Sequence, residues 1–164
     1  MWPTTIGELR SPRPIPTIFL GGSIAGLLDG LDAVVYYGLA FGATPARIFQ
    51  NIASGLLGSR SFQGGWPTVV LGMALHLSVA IGVASFYYAV SRFIPALYRK
   101  PWICGPAFGI GVHLFMQHVV LPLSLVHKRT IPASPMEILD QLFAHTILVG
   151  LPIALMARWS ARIR

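Results

Sequence analysis

The sequence predicts an all-α fold: an integral membrane bundle of four transmembrane helices plus one amphipathic helix at the membrane interface. Three observations carry that prediction. The chain has 164 residues, 54% hydrophobic and only 10% charged, whereas soluble domains average about 25% charged. Four long, mostly apolar segments recur along it, each near the ~20 residues a helix needs to cross the hydrocarbon core. Prolines, glycines and cap residues punctuate the sequence between them.

Composition also excludes function classes. Twelve basic and five acidic side chains cannot clothe a water-facing surface, and the mean hydropathy is +0.67. An ordinary soluble enzyme and a disordered tail are ruled out on that ground. The net charge of +7 would suit nucleic acid only if the basic residues formed one patch. They divide between both ends of the bundle, so the partner is the lipid bilayer and no nucleic acid. The single cysteine, Cys104, excludes a disulfide scaffold, a CxxC redox centre and a cysteine-based zinc site.

The predicted spans are residues 17–41, 66–91, 102–125 and 137–158, in one membrane domain covering 1–164. Pro12, Pro14 and Pro16 keep the chain extended before the first span. That span is too long for a signal-peptide core and carries two aspartates, so no cleaved signal peptide is expected. Pro67 and Pro101 stand at helix starts, where the missing N–H costs nothing. Ser134-Pro-Met-Glu137 reads as a capping box opening the fourth span. Pro122 and Pro152 lie inside spans and should kink them. Trp66, Tyr87, Tyr88, Trp102 and Trp159 fall near the expected interfaces, where amphipathic rings are favoured.

Between the first two spans, residues 45–58 predict an amphipathic helix, with Thr44 as N-cap and Pro45 its first residue. Ile48, Phe49, Ile52, Ala53, Leu56 and Leu57 share one face; Arg47, Gln50, Asn51 and Ser54 share the other. It should lie in the outer interface or re-enter it, apolar face down. The alternative is a connector packed on top of the bundle.

Orientation follows the Lys and Arg bias. Arg10, Arg13, Arg92, Arg99, Lys100, Arg158, Arg162 and Arg164 fall at one end; Arg47, Arg60, Lys128 and Arg129 fall at the other. The excess places both termini in the cytoplasm. His127, beside Lys128 and Arg129, reads as solvated. Glu8, Glu137 and Asp140 join the basic residues at the interfaces, which isolates Asp29 and Asp32 as the two charges inside a span.

A charge at the bilayer centre costs about 2.5–3.5 kcal/mol on insertion scales. The two aspartates should therefore face inward, where each other span offers a histidine: His76, His113 with His118, and His145. At about 1.5 Å per residue, Asp29 and His113 fall near the midplane. Asp32, His76 and His145 fall roughly 4–5 Å outward and His118 roughly 7 Å outward. The expected polar centre is Asp29, Asp32, His76, His113 and His145. Gly22, Gly26 and Gly30 form a stripe beside Asp29, and Gly105 and Gly109 lead to His113. Such stripes serve helix packing, and they equally permit a homo-oligomer.

Several functions fit this set. The groups can act as polar glue that fixes helix register, with no catalysis. They can exchange protons near neutral pH, as in a proton-coupled transporter or pH-gated channel. Asp and His also suit a divalent metal, although no HxxxH or ExxH spacing occurs on one helix. A haem held by two histidines, for instance His76 and His145, fits a four-helix bundle. No paired nucleophile motif supports a membrane enzyme, and no cofactor or metal is assigned.

Several stretches resemble a family of small bacterial inner-membrane proteins of the YagU-like kind, whose activity is unassigned. They are Ala25-Gly-Leu-Leu-Asp29, Pro45-Ala-Arg-Ile-Phe-Gln-Asn-Ile-Ala-Ser-Gly-Leu-Leu-Gly58, Phe62-Gln-Gly-Gly65, His76, Val119-Val-Leu-Pro-Leu-Ser124, and His145 followed by Val149-Gly-Leu-Pro-Ile-Ala-Leu155. The resemblance implies a bacterial source, an inner (plasma) membrane location and a four-helix fold. It supplies no substrate. Its pattern covers Asp29, His76 and His145, but not Asp32 or His113.

Overall fold

The computed structural model describes residues 11–126 and 133–162. His127, Lys128, Arg129, Glu8, Arg10 and Arg164 lie outside the described residues. In chain order the helices are α1 (Pro16–Phe41), α2 (Pro45–Leu57), α3 (Gly65–Ser91), α4 (Ala96–Arg99), α5 (Pro101–Leu123) and α6 (Pro135–Ser160). Among the described residues there is no strand. Helices α1, α3, α5 and α6 are long and apolar enough to cross a membrane, the architecture of a multi-pass membrane protein. Their bounds agree with the predicted spans to within two residues. The one-turn helix α4, between α3 and α5, is not foreseen by the sequence.

Local chemistry sets the ends. Gly42 closes α1 with φ +64°; its N–H donates to Gly38 O, and Ala43 N–H donates to Tyr37 O, the paired bonds of a glycine C-cap. Thr44 caps α2, its Oγ1 accepting from Arg47 N–H at 3.3 Å. Ser134 caps α6, accepting from Glu137 N–H at 3.2 Å. Pro122 and Pro152 are each preceded by a π-helical turn, at Met116–Val120 and Ala144–Gly150. A proline leaves the carbonyl four residues back without its donor, and widening the turn re-routes the neighbouring bonds. The expected disturbance thus takes the form of wide turns that reposition His118 and His145.

Helix α1 is central, packed on α3 along one side and on α6 along another, while α5 packs on α6. Backbone proximity drives both main contacts. A methyl added at Gly22 would lie 2.8 Å from Ile81 Cα, and one at Gly26 would lie 3.0 Å from Ala80 Cβ. A methyl at Gly105 would lie 2.9 Å from Leu151 Cα, and one at Gly109 would overlap the His145 carbonyl. The glycine stripes are therefore packing surfaces within one chain. Among equally apolar lipid tails, close backbone contact and dispersion replace the hydrophobic effect as the packing force.

The buried core lies toward the termini, around Ala25, Ala84, Tyr87, Ile153, Ala154 and Ala157. Outside it, large apolar side chains cover the perimeter; Leu27 and Leu39 are 70% and 85% exposed, as a lipid-facing surface requires. Trp66, Trp102 and Trp159 are also exposed. Tyr87 is not an interface ring, because it is fully buried and donates to Leu97 O at 2.8 Å. That bond satisfies its hydroxyl and ties α3 to the start of α4.

Helix α2 does not rest simply on its apolar face. It seats on α3 along the boundary between its faces, where Gln50, Ala53 and Ser54 are buried. Gln50 Nε2 donates to Gly65 O and Thr68 Oγ1, both at 3.4 Å, and Ser54 Oγ donates to Asn51 O. Phe49 backbone lies hard against Gly72, seven residues, or about 10 Å, along α3. Leu56 and Leu57 stay exposed on one side and Arg47 and Asn51 on another. The polar residues expected to face water are partly spent on docking, because a buried amide with partners costs little.

Candidate functional site

The site lies at the end opposite the termini, where α2 covers the side of α1 and α3. Small residues make the space: Gly30 leaves its position on α1 open to His76 of α3. A methyl there would lie 3.1 Å from His76 Nε2. The imidazole therefore slots against α1. Its Nε2 donates to Gly26 O at 2.8 Å, since a carbonyl only accepts. Asp29 Oδ2 stands 3.8 Å from the same nitrogen. In the neutral ring Nδ1 then holds the lone pair. Both side chains are largely shielded, at 17% and 24% exposure.

Asp29 and His76 line a cavity of about 430 Å³, within the range of ~300–1,000 Å³ typical of small-ligand pockets. Tyr37 of α1, Phe49 and Arg47 of α2, and Phe62 complete its character. The Arg47 guanidinium lies over the Phe62 ring, 3.8 Å from its centroid. Phe49 stands edge-on to His76. The cavity thus carries a carboxylate, an imidazole and a guanidinium on an aromatic frame.

The other predicted residues fall elsewhere. His113 and His145 face each other across the α5–α6 contact, ring centroids 5.4 Å apart, where Gly109 admits the backbone of α6. His145 Nδ1 donates to Gln141 O at 2.7 Å. His113 is buried, and its Nδ1 has no hydrogen-bond partner among the described residues. Asp32 lines a separate surface depression between α1 and α6, together with Asp140. The five residues expected to form one polar centre are arranged as the Asp29–His76 pair, the His113–His145 pair, and Asp32 beside Asp140. Helix rotation explains the split: at 100° per residue, Asp29 and Asp32 share a broad face yet look toward different neighbours. For the two-histidine haem arrangement, His145 has His113 as its ring neighbour, not His76. Among the described residues, no group of three or more His, Cys, Asp or Glu side chains is placed to hold a metal ion.

Several site residues escape sequence reasoning. Glu137, expected at the interface as a cap residue, is 1% exposed, and Tyr37 Oη donates to its Oε1 at 3.0 Å. Gln141 Nε2 donates to Tyr37 Oη at 3.1 Å, and Gln117 Nε2 donates to Gln141 Oε1. This chain of polar groups runs from the cavity wall at Tyr37 through α6 to α5. The available signal was Glu137 and Gln141 at i, i+4, which places them on one helix face. Asp140, also expected at an interface, lines the same depression as Asp32. No known protein family, curated protein or solved structure matches the chain.

Proposed function

We propose that the protein is a proton-responsive membrane transporter or channel whose working group is the Asp29–His76 pair. The observation that carries this reading is a shielded carboxylate and imidazole, 3.8 Å apart, lining a cavity wide enough for a small ligand. A carboxylate that deep is costly when charged and alone, which makes the neighbouring imidazole and whatever occupies the cavity the partners of its charge. The Tyr37–Gln141–Gln117 chain extends polar groups away from the cavity toward α5. Positive charge supports the orientation: Arg13, Arg92, Arg99, Lys100, Arg158 and Arg162 flank the spans at the end with the termini. By the Lys and Arg rule that end is cytoplasmic. The YagU-like resemblance supports a bacterial inner membrane.

The test is proton flux in proteoliposomes carrying an internal pH-sensitive dye under an imposed pH gradient. Wild-type protein should conduct or exchange protons, and Asp29→Asn should abolish the flux. Unchanged flux in that variant rejects Asp29 as the proton carrier.

One observation favours a second reading, in which the polar groups only fix helix packing. The shortest bond of His76 goes to the Gly26 carbonyl, at 2.8 Å, which locks α3 to α1. Under that reading His76→Ala lowers stability, and neither wild type nor variant carries protons.

A further inference from the structure

The cavity bears two opposite charges that do not neutralise each other. Asp29 belongs to the α1 wall and has His76 as its neighbour. Arg47 belongs to the α2 wall, and among the described residues no carboxylate lies within 4 Å of it, the His76–Asp29 contact being the ion pair there. Its guanidinium is laid on the Phe62 ring at 3.8 Å. Stacking uses the face of a guanidinium and leaves its edge, with five N–H donors, for an oxyanion. Holding the side chain against a ring also reduces the entropy lost when an anion binds. At the other wall, the Asp29 carboxylate shares the cavity lining with the Tyr37 and Phe49 rings; a carboxylate attracts an ammonium, and an aromatic face attracts one too.

The geometry points to a zwitterion site: an ammonium group set against Asp29 and a phosphate or carboxylate set against Arg47, in one molecule. This rests on the reading of the cavity as the working site and names the class of its ligand. Ammonium joined to phosphate through a short linker is the shared chemistry of free phosphoethanolamine and of an ethanolamine lipid headgroup. Both can reach a cavity bounded by an amphipathic helix at the membrane surface. The aromatic frame suits such a molecule, since it lowers the local polarity and strengthens both charge contacts.

The experiment is isothermal titration of the full chain in non-ionic detergent, with no proton gradient. The probes are O-phosphoethanolamine, ethanolamine and inorganic phosphate. O-phosphoethanolamine should bind at least about tenfold tighter than either single-charge probe. Asp29→Asn and Arg47→Gln should each remove that advantage. Arg60→Gln, outside the cavity, should keep it. Arg47 is exposed, so Arg47→Gln should retain the wild-type melting temperature, and Arg47→Lys, which keeps the charge but loses the stacked fork, should fall between. Titration with phosphatidylethanolamine in mixed micelles separates the sources. Tighter binding than the free headgroup, lost in the same variants, identifies the lipid; equal or weaker binding identifies the soluble molecule. Failure of both to bind, equal binding of a single-charge probe, or indifference to both cavity substitutions overturns the zwitterion site. If the zwitterion binds and no proton flux appears, the transport reading fails alone. If flux depends on Asp29 and no zwitterion binds, the ligand class fails alone.

Discussion

Replacing Gly109 with alanine should loosen the α5–α6 interface, and Gly111→Ala in the same helix supplies the control. A methyl at Gly109 would overlap the carbonyl of His145 and meet Thr146 Cα, whereas nothing lies within 4 Å of one at Gly111. The obstructing atoms are backbone, so no rotamer change relieves them. Ordinary carbon contacts sit near 3.5–4.0 Å, so the two helices must separate locally by about 1 Å. A gap of that size forfeits roughly a quarter to a half of each dispersion contact it opens. Overpacking of this kind costs about 1–3 kcal/mol. Both variants gain the same helix propensity over glycine, about 1 kcal/mol in water, so their difference isolates the packing cost. The assay is reversible unfolding in mixed micelles by titration with a denaturing detergent, followed by circular dichroism. Gly109→Ala should be less stable than Gly111→Ala by about 1–3 kcal/mol. A difference below about 0.5 kcal/mol, the ordinary spread of surface substitutions, would refute the claim that backbone contact at this glycine holds α5 to α6.

Two further outcomes follow from the polar groups and the charge bias. Tyr37→Phe removes a hydroxyl that donates to Glu137 and accepts from Gln141. It should cost about 1–3 kcal/mol in the same unfolding assay, and Tyr36→Phe should be close to neutral; equal effects would remove the network from the account of stability. In a Cys104→Ser background, a cysteine at position 60 should react with a membrane-impermeant maleimide on intact cells, and one at position 162 should react only after permeabilisation; the reverse pattern would overturn the proposed orientation.

Much of the fold is legible in the sequence because the bilayer imposes a length and a polarity on every spanning helix. Residues 66–91 and 102–125 announce themselves as long, mostly apolar runs without Asp, Glu, Lys or Arg, and Thr44-Pro45 and Ser134-Pro135 mark helix starts by local chemistry alone. The candidate site is legible only in part. Asp29 stands out together with Asp32 because a charge in a span demands a partner, and His76 is an available one. Arg47 and Phe62 do not stand out, because they lie on the α2 segment and the turn after it, and their meeting depends on where that segment docks. Glu137 is legible as the third residue of a serine-capped helix, and its N–H does bond the Ser134 hydroxyl; its burial beside Tyr37 of α1 is not legible, because it depends on a neighbouring helix.

By itself the sequence determined the number of spans, their ends, the amphipathic character of α2 and the short list of ionisable groups inside the bundle. Those properties depend on local composition and on periodicity, which need no neighbour. Only the tertiary structure decided which of those groups meet. Helix rotation and the close approach at Gly26, Gly30 and Gly109 sort one expected centre into separate pairs. The seating of α2 against Gly72 encloses Asp29 and His76 in a cavity with Arg47. Pairing across helices is set by angles and separations of a few ångströms between elements far apart in the chain, and no pattern within a single element carries that information.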